Sequence, residues 1–487
     1  MLISQFASHF PEGTLTLAKD CKLEFLAYDS RAVVKNSAFF CFSGTQTNGN
    51  KYIKEAISNG ATLIVTNEVE ELLPGVSYFT TQTSIRTLYA KASALFFDYP
   101  STKLSVIGVT GTDGKSSTCD FIYQLLNKLG YKTGLSSTVF VDIGEGKNQN
   151  NYHQSTPEAF VIQSLLAKAV ENNCKYFVLE ATSHALSKEY DRLNSIEYSY
   201  CAYTTISSEH LEFHKTYHQY IEAKANLAKK TQNKVLIYSN NKALSEIKAI
   251  AGDKLYRLTP PLIIKQELEE LEFLYEDNLY MLPFGQNYNL ENAFEAASLV
   301  SLITNKPLNS VLPLLRNLTK VKGRFTLVPN SIGRTIIVDF AHTPDSYHKV
   351  LSECRKLNHD SSFIAVFGSS GKRDSSKRAQ MGLEIARYCS AMIITEDDPR
   401  GEDLTTTFNE LTSAIPPFLK TRINIIQEDD RKEAIRKALA LSQTGDFIFL
   451  LGVGAQTQID YGTYTKPWNE VETVSKLLRE MSCCKEN

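Results

Sequence analysis

The sequence predicts an α/β protein of three domains. A small α/β domain occupies 1–98, a central domain built on a phosphate loop and a parallel sheet 99–325, and a second doubly wound domain 326–487. Three observations carry this. A length of 487 residues suits roughly three domains. Short apolar runs alternate with helical spacing from Lys103 onward and again after Arg324, the pattern of parallel strands wrapped by helices. And SVIGVTGTDGKSS (105–117) reads as strand, glycine turn and helix.

The first domain rests on modest signals. Phe39 to Phe42 is a short buried strand, 52–58 a helix stopped by Asn59-Gly60, and 61–66 the next strand. Asp29-Ser30-Arg31 and GTQTNG (44–49) are loops whose side chains suit ordinary turns. Tyr99-Pro100 marks the boundary.

In the central domain an apolar run from Val106 to Val109 meets the glycine turn. Phe121, Ile122, Leu125, Leu126 and Leu129 then recur at helical spacing, closed by Gly130. Such a turn aims backbone N–H groups and a helix N-terminus at one point, which suits a polyphosphate. Lys115 would reach the outer phosphates and Ser116 would hold Mg²⁺. The spacing is not the strict G-x-x-x-x-G-K-[ST], since Val109 stands where that pattern wants glycine. A tight strand-to-helix turn with a surface lysine would use the same residues. Further strands are expected over 176–182, ending in Glu180, over 198–205, followed by EHLE (209–212), and over 235–238. A helix over 217–230 carries Lys224. Ligands of such sheets gather at the carboxyl ends of strands, where Gly111–Ser117, Glu180 and His210 fall. Glu180 and His210 could bind a second divalent cation or its water. Lys224 reads by its spacing as a solvated helical lysine, as helical lysines mostly are. The acidic stretch 250–285 reads as a peripheral strand pair or loop without chemistry.

The last domain has strands over 335–340, 362–367, 391–395 and 447–451, with helices over 346–356 and 377–388. Its strand-end loops are AHTPD (341–345), GSSGKRD (368–374), EDDPRGED (396–403) and GVGAQ (452–456). Arg324, Arg373 and Arg400 lie in turns, where a guanidinium suits capture of phosphate or carboxylate.

Composition excludes several classes. The apolar content of 43% allows full cores, and a formal net charge of −2 argues against a nucleic-acid coat or polybasic membrane anchor. No apolar run reaches the ~18 residues of a membrane span. MLISQFASHFPEG lacks a signal peptide's basic start and cleavage site. The nine cysteines are scattered without a C-x-x-C pair, as in buried thiols of a reducing cytosol.

Taken in order, the segments YDSR (28–31), TGTDGKSS (110–117), STP (155–157), LEATSHAL (179–186), EHLEFH (209–214), EAK (222–224), YNLEN (288–292), GRF (323–325), DFAHTPDS (339–346), VFGSSGKRD (366–374), KR (377–378) and DDPR (397–400) make the chain resemble the Mur ligases of peptidoglycan synthesis. The likeness is strongest to the tripeptide synthetases, which add a diamino acid to UDP-N-acetylmuramoyl-L-alanyl-D-glutamate. The resemblance implies a UDP-binding N-terminal domain, a central P-loop ATPase domain and a C-terminal Rossmann-like domain that binds the amino acid. It implies ATP and Mg²⁺ as cofactors, an acyl-phosphate intermediate, and a cytoplasmic monomer with no nucleic-acid partner. By the same resemblance Ser30, Thr45, Gln46 and Thr47 contact the UDP-sugar. Ser155 and Thr156 continue along the muramyl group, with Thr182 and Arg192 nearer the peptide. Gly111, Thr112, Asp113, Gly114, Lys115, Ser116 and Ser117 hold ATP, with Asn289 and Asn292 near adenine and Arg324, Asp339 and His342 also near the nucleotide. Ser116, Glu180 and His210 are metal positions, and Lys224 a carbamoylated lysine. Arg373, Asp397, Asp398, Pro399 and Arg400, with Gly452 and Gln456, form the amino-acid site.

The chain also departs from that pattern. Asp113 replaces the usual Asn, which is tolerable only if the charge faces a cation or solvent. Glu209 and Glu212 lengthen the usual DHLD, and two residues are inserted between His184 and Arg192. GVGAQ stands where users of meso-diaminopimelate have G-K-G-H-E, so Gln456 keeps an acceptor but loses a charge. With DDPR in place of DNPR, Asp398 favours a side chain ending in an amine, such as lysine or ornithine. Arg400 keeps diaminopimelate open. Another ligase of the superfamily, of the folylpolyglutamate type or the next Mur step, and a catalytically silent nucleotide-binding paralogue are the competing readings.

Overall fold

The computed structural model describes residues 1–43, 48–152, 154–207 and 211–483. They pack as two compact units. The first comprises Met1–Gly111, Leu126–Tyr203 and Ile221–Leu258, the second Thr112–Leu125, Thr204–Tyr220 and Thr259–Asn487.

The first unit holds two sheets. The N-terminal sheet has five strands in the order Gly13–Thr16, Ser77–Thr81, Ala61–Thr66, Ser37–Phe40, Phe25–Ala27. All neighbours are parallel except the first pair. Phe40, Leu63, Val65 and Phe79 bury one face against Phe6 and the helix Ile85–Phe96, while Phe39, Ile64 and Tyr78 bury the other. Two covered faces explain why these strands read as apolar runs without alternation.

The second sheet has eight strands in the order Leu255–Leu258, Thr231–Tyr238, Tyr198–Tyr203, Ser105–Thr110, Tyr176–Glu180, Thr133–Ser136, Phe140–Asp142, Asn148–Gln149. Its first six are parallel and its last two antiparallel. The carboxyl ends are in register, with Glu180 beside Val109 and Tyr203 beside Thr110. Gly108 is required in mid-strand: a Cβ there would come within 2.6 Å of Leu227 and 2.9 Å of Tyr198. The missing side chain lets the helix Tyr217–Lys230 lie close on the strand.

The second unit carries a six-stranded sheet in the order Thr326–Leu327, Thr335–Asp339, Phe447–Leu451, Phe363–Phe367, Ala391–Ile394, Asn424–Gln427, antiparallel only at its first pair. Helices Pro344–Leu357, Arg378–Tyr388 and Leu404–Thr412 cover one face, and Arg431–Leu441 and Glu470–Cys483 the other. The expected α/β class, with parallel sheets in the N-terminal, central and C-terminal thirds, holds.

One reading needs correction. The stretch 250–285 is neither irregular nor a strand pair. It contains the last strand of the central sheet, Leu255–Leu258, and a three-stranded antiparallel sheet, Leu262–Gln266, Leu271–Tyr275 and Asn278–Leu282. Its strands are short and partly exposed, and most of the acidic residues (Glu267, Glu269, Glu270, Glu276, Asp277) lie in the turns between them, which masks the period of two. Strands expected to run to Thr182, Thr205 and Phe42 stop at Glu180, Tyr203 and Phe40.

Candidate active site

In the first unit, Glu180 closes its strand almost fully buried. Its carboxylate accepts from Thr138 N at 2.8 Å and from Thr138 Oγ1 at 2.9 Å, which fixes its orientation. Its backbone carbonyl accepts from Thr156 Oγ1 at 2.8 Å, and the Thr182 N–H donates to the same hydroxyl at 3.1 Å. Thr156 and Thr182 are thereby tied to the end of the Glu180 strand, and Thr182 caps the short helix Ser183–Leu186. Lys224 is not the solvated lysine that helical position allowed. It is 1% exposed, and its Nζ donates to the Gly111 carbonyl at 2.6 Å. Arg192, also buried, donates from Nε to Glu158 Oε1 at 2.8 Å and from Nη1 to the Thr156 carbonyl at 3.2 Å. Ser155 is half-buried. Ser30 is buried and its hydroxyl donates to Glu55 at 2.9 Å. Thr45, Gln46, Thr47 and His210, together with Glu209, lie outside the described residues.

In the second unit the phosphate loop is fixed from below. Thr112 N donates to the Thr205 carbonyl at 2.7 Å, and its hydroxyl meets Tyr220 Oη at 2.7 Å and the Ser207 carbonyl at 3.0 Å. Thr204 Oγ1 donates to the Asp113 carbonyl at 2.6 Å. The residues just past the strand Tyr198–Tyr203 therefore brace the loop. Gly114 takes φ +87°, and any Cβ there would overlap the Asn292 amide, so both glycine's freedom and its lack of bulk are used. Lys115 opens the helix Lys115–Lys128 and donates to the Thr112 carbonyl at 2.7 Å, while Ser116 and Ser117 are buried behind it. Asp113, the departure noted above, meets a cation: Lys349 Nζ stands 3.4 Å from its carboxylate. Asn289 binds Gln286 through its amide at 2.9 Å.

The Arg324 guanidinium lies 4.3 Å from the Phe340 ring centre. Asp339 accepts from Phe325 N at 2.6 Å and Ala341 N at 2.7 Å, so its carboxylate shapes the two turns around it. Burial raises its pKa, against the pull of Arg324. His342 donates from Nδ1 to the Phe340 carbonyl at 2.7 Å, leaving Nε2 to face other partners.

The strand-end loops of the six-stranded sheet converge around Arg400. Its Nη2 donates to Asp398 at 2.9 Å, its Nε to Asp460 at 3.0 Å and its Nη1 to the Gly371 carbonyl at 3.4 Å. Asp398 also accepts from Asp460 N at 2.8 Å. Asp398 and Arg400 flank Pro399, and both hold left-handed backbone, φ +45° and +48°; that strain costs on the order of 1–3 kcal/mol each. Gln456 Nε2 reaches Asp398 at 3.5 Å, and its Oε1 is buried with no hydrogen-bond partner among the described residues. Asp397 is buried and its pKa is pushed up to about 6 by burial, with Arg431 pulling the other way. Gly452, at φ +101°, leaves room for that carboxylate, which a Cβ would overlap. Arg373 is exposed. The anchoring cation of its loop is instead Arg378, 1% exposed, which binds Glu402, Glu410 and the Ser370 carbonyl. Behind the site the fully buried pair Arg431–Glu470, 2.7 Å apart, also holds the carbonyls of Glu396 and Leu451.

Family models match along the chain in order: the Mur ligase family catalytic domain over 22–94, the Mur ligase middle domain over 109–295 and the Mur ligase glutamate ligase domain over 323–454. The UDP-N-acetylmuramyl-tripeptide synthetase of Borreliella afzelii (strain PKo) is 33% identical over 476 residues, covering 94% of each chain. The chain belongs to the Mur ligase family. As such it is an ATP-dependent ligase. A second relative of the ligase, from Clostridium botulinum (strain ATCC 19397 / Type A), is named UDP-N-acetylmuramoyl-L-alanyl-D-glutamate--2,6-diaminopimelate ligase. It is 31% identical, over 94% of this chain and 96% of that one. A solved structure of a ligase of that name superposes with TM-score 0.60 at 21% identity, covering 98% and 99% of the two chains. A MurF ligase from Thermotoga maritima in complex with ADP superposes with TM-score 0.59 at 16% identity, covering 94% and 97%. No helix among the described residues of the ligase is long and apolar enough to cross a membrane.

Several residues of these clusters were not singled out by the sequence: Thr138, Glu158, Lys349, Arg431 and Asp460. Each acts through a partner tens to hundreds of positions away, so no local spacing marks it. For Arg378 the KR pair at 377–378 was the available signal.

Proposed function

We propose that this ligase adds lysine or ornithine, in preference to meso-diaminopimelate, to UDP-N-acetylmuramoyl-L-alanyl-D-glutamate in the cytoplasm, as a monomer using ATP and Mg²⁺. Residues 1–98 bind the UDP-sugar, 99–325 the ATP and 326–487 the amino acid. The observation that carries the amino-acid choice is the engagement of Arg400. All three of its nitrogens donate to the protein, two of them to carboxylates. Asp398 and Asp460 outnumber the single guanidinium, and Gln456 adds no charge. Among Arg400 and its two carboxylate partners the surplus is one negative charge, which favours an amine and opposes a second carboxylate. The acceptor is supported by relatives, one of whose names states UDP-N-acetylmuramoyl-L-alanyl-D-glutamate.

In the reaction, the terminal carboxylate of the acceptor attacks the γ-phosphorus of ATP and ADP departs. The amine then attacks the acyl carbon, and phosphate leaves from the tetrahedral intermediate. Lys115 holds the transferring phosphoryl group, and the backbone N–H groups of Gly114 to Ser117 cradle the phosphates. Magnesium suits hard oxygen donors: the Ser116 hydroxyl would hold one ion and the rigid carboxylate of Glu180 another, with His210 its nitrogen ligand by resemblance. Bound there, it would offset the charge of the triphosphate. A carbamoylated Lys224 keeps one N–H for the Gly111 carbonyl and gains oxygens. Thr156, Thr182 and Arg192 orient the peptide end, Ser30 and the 45–47 loop the UDP end, and Asn289 and Asn292 the adenine.

The test is phosphate release with UDP-muramoyl dipeptide and, separately, lysine, ornithine and meso-diaminopimelate. Faster turnover with either of the first two is expected. Turnover with diaminopimelate alone would refute the amino-acid choice. Binding of ATP without phosphate release under any condition would favour the silent paralogue.

A further inference from the structure

We infer that Arg86 is a binding residue for an anionic oxygen group of the UDP-muramoyl substrate, an inference that rests on the acceptor proposed above. Arg86 is the second residue of the helix Ile85–Phe96. Its guanidinium is wedged between two rings, 4.3 Å from the centre of Phe42 and 4.7 Å from that of Tyr190. Its Nη1 is buried and has no hydrogen-bond partner among the described residues. Its one ionic contact among the described residues, Glu158 Oε1 at 3.9 Å, is beyond hydrogen-bonding reach. That same oxygen accepts from Arg192 at 2.8 Å. Two guanidinium groups thus share one carboxylate, and Glu189 is the other acidic group whose charge acts on Arg86.

The more deeply buried arginines Arg192, Arg378 and Arg431 spend their donors on the protein. Arg86 spends none on a described residue. The two rings instead hold the planar fork flat and leave its edge for a ligand. Such a fork matches the paired oxygens of a carboxylate or phosphate. The surroundings say which ligand is at hand. Phe42 stacks on Tyr28, ring centres 5.2 Å apart at 13°, and Tyr28 opens the YDSR segment. Phe42 itself precedes the 45–47 loop. Arg192 donates to the Thr156 carbonyl of the STP segment. Arg192 is thus assigned to the UDP-muramoyl substrate, and Phe42 and Glu158 adjoin segments assigned to it. That substrate offers two anionic sources, its diphosphate and its peptide carboxylates.

The experiment compares wild type with Arg86→Met and Arg86→Lys in the full chain. Steady-state kinetics varies the UDP-muramoyl dipeptide, ATP and amino acid in turn, and calorimetry measures UDP and UDP-muramoyl dipeptide binding. Arg86→Met is expected to raise KM for the UDP-muramoyl dipeptide about 10-fold or more, the worth of a lost charge-assisted hydrogen bond, with KM for ATP unchanged. Arg86→Lys keeps the charge and stem but lacks the fork, so it should recover part of the loss. It carries the test alone should Arg86→Met not fold. Weakened UDP binding assigns the diphosphate, and weakened binding of the dipeptide conjugate alone assigns a peptide carboxylate. An unchanged KM for the UDP-muramoyl dipeptide in both variants, or a fall in thermal midpoint with no change in KM, overturns the inference while leaving the proposed function intact. A wild type that neither binds nor turns over the UDP-muramoyl dipeptide overturns both.

Discussion

Glu295 should make the protein less stable as pH rises toward 8, and replacing it with glutamine should remove that dependence. It sits in the helix Asn287–Thr304, 1% exposed, with neither carboxyl oxygen hydrogen-bonded to a described residue. Burial first, and the charge of Glu291 one turn earlier second, push its pKa from 4.5 to about 8. Glu291 is itself raised by burial and lowered by Lys349. A carboxyl whose pKa rises on folding holds its proton more tightly in the folded state. Its contribution is therefore complete below the unfolded value of 4.5 and is lost as pH climbs toward 8. The slope is ~1.4 kcal/mol per pH unit, so between pH 5 and 8 the loss is on the order of 4 kcal/mol. Glutamine keeps the shape without the charge. Thermal midpoints of wild type and Glu295→Gln, measured by scanning fluorimetry from pH 5 to 9, should diverge by roughly 10 °C toward the alkaline end. Midpoint curves that stay parallel over that range would show that Glu295 does not titrate in the window, and the reasoning from burial would fail.

Three further outcomes follow from the site. Lys115→Ala should abolish phosphate release while moving the thermal midpoint by no more than a few degrees, since its hydrogen bond to Thr112 is local. Lys349→Ala should cost under ~1 kcal/mol of stability, as half-exposed ion pairs do, yet raise KM for ATP by leaving Asp113 uncompensated beside the phosphates. Adding Asp113→Asn should restore it, and a double-mutant cycle with no coupling would dismiss the pair. Asp398→Asn should shift the preference among lysine, ornithine and diaminopimelate more than it shifts KM for ATP; an unchanged order of preference would count against its role.

Local signals made the sheets and the phosphate loop legible. The apolar run 447–451 coincides with its strand and 106–109 lies within one residue of the ends of Ser105–Thr110, because strand and burial coincide there, while the run read to 182 stops at Glu180. Lys224 could not be placed by its helix, whose sequence looks solvated around it. Its burial follows from Gly108, which draws that helix onto the strand. The 250–285 sheet was hidden because its strands are short and most of its acidic residues lie in the turns between them. At the candidate site, the residue types were legible and their partners were not. Asp113 finds its cation 236 positions away and Arg400 its second carboxylate 60 positions away. Sequence spacing holds no information about such pairs. Charge does: an aspartate at a phosphate loop demanded a cation or solvent before either was visible.

That logic of local charge extends to the amino-acid pocket and gives its sharpest test. If Arg400 turns away a substrate carboxylate because Asp398 and Asp460 already occupy it, then weakening one of them should reopen the choice. Asp460→Asn does this with the least disturbance, because the Asp460 backbone bonds to Asp398 and Arg400 do not involve its side chain. The Nε of Arg400 then loses its charged partner at 3.0 Å and becomes available to diaminopimelate. A hydrogen bond between charged groups contributes about 1.5–3 kcal/mol, so kcat/KM for diaminopimelate relative to lysine should rise on the order of 10-fold or more. Competition assays with both amino acids present read that ratio directly. If lysine turnover survives and the ratio does not move, the specificity lies elsewhere than in the engagement of Arg400.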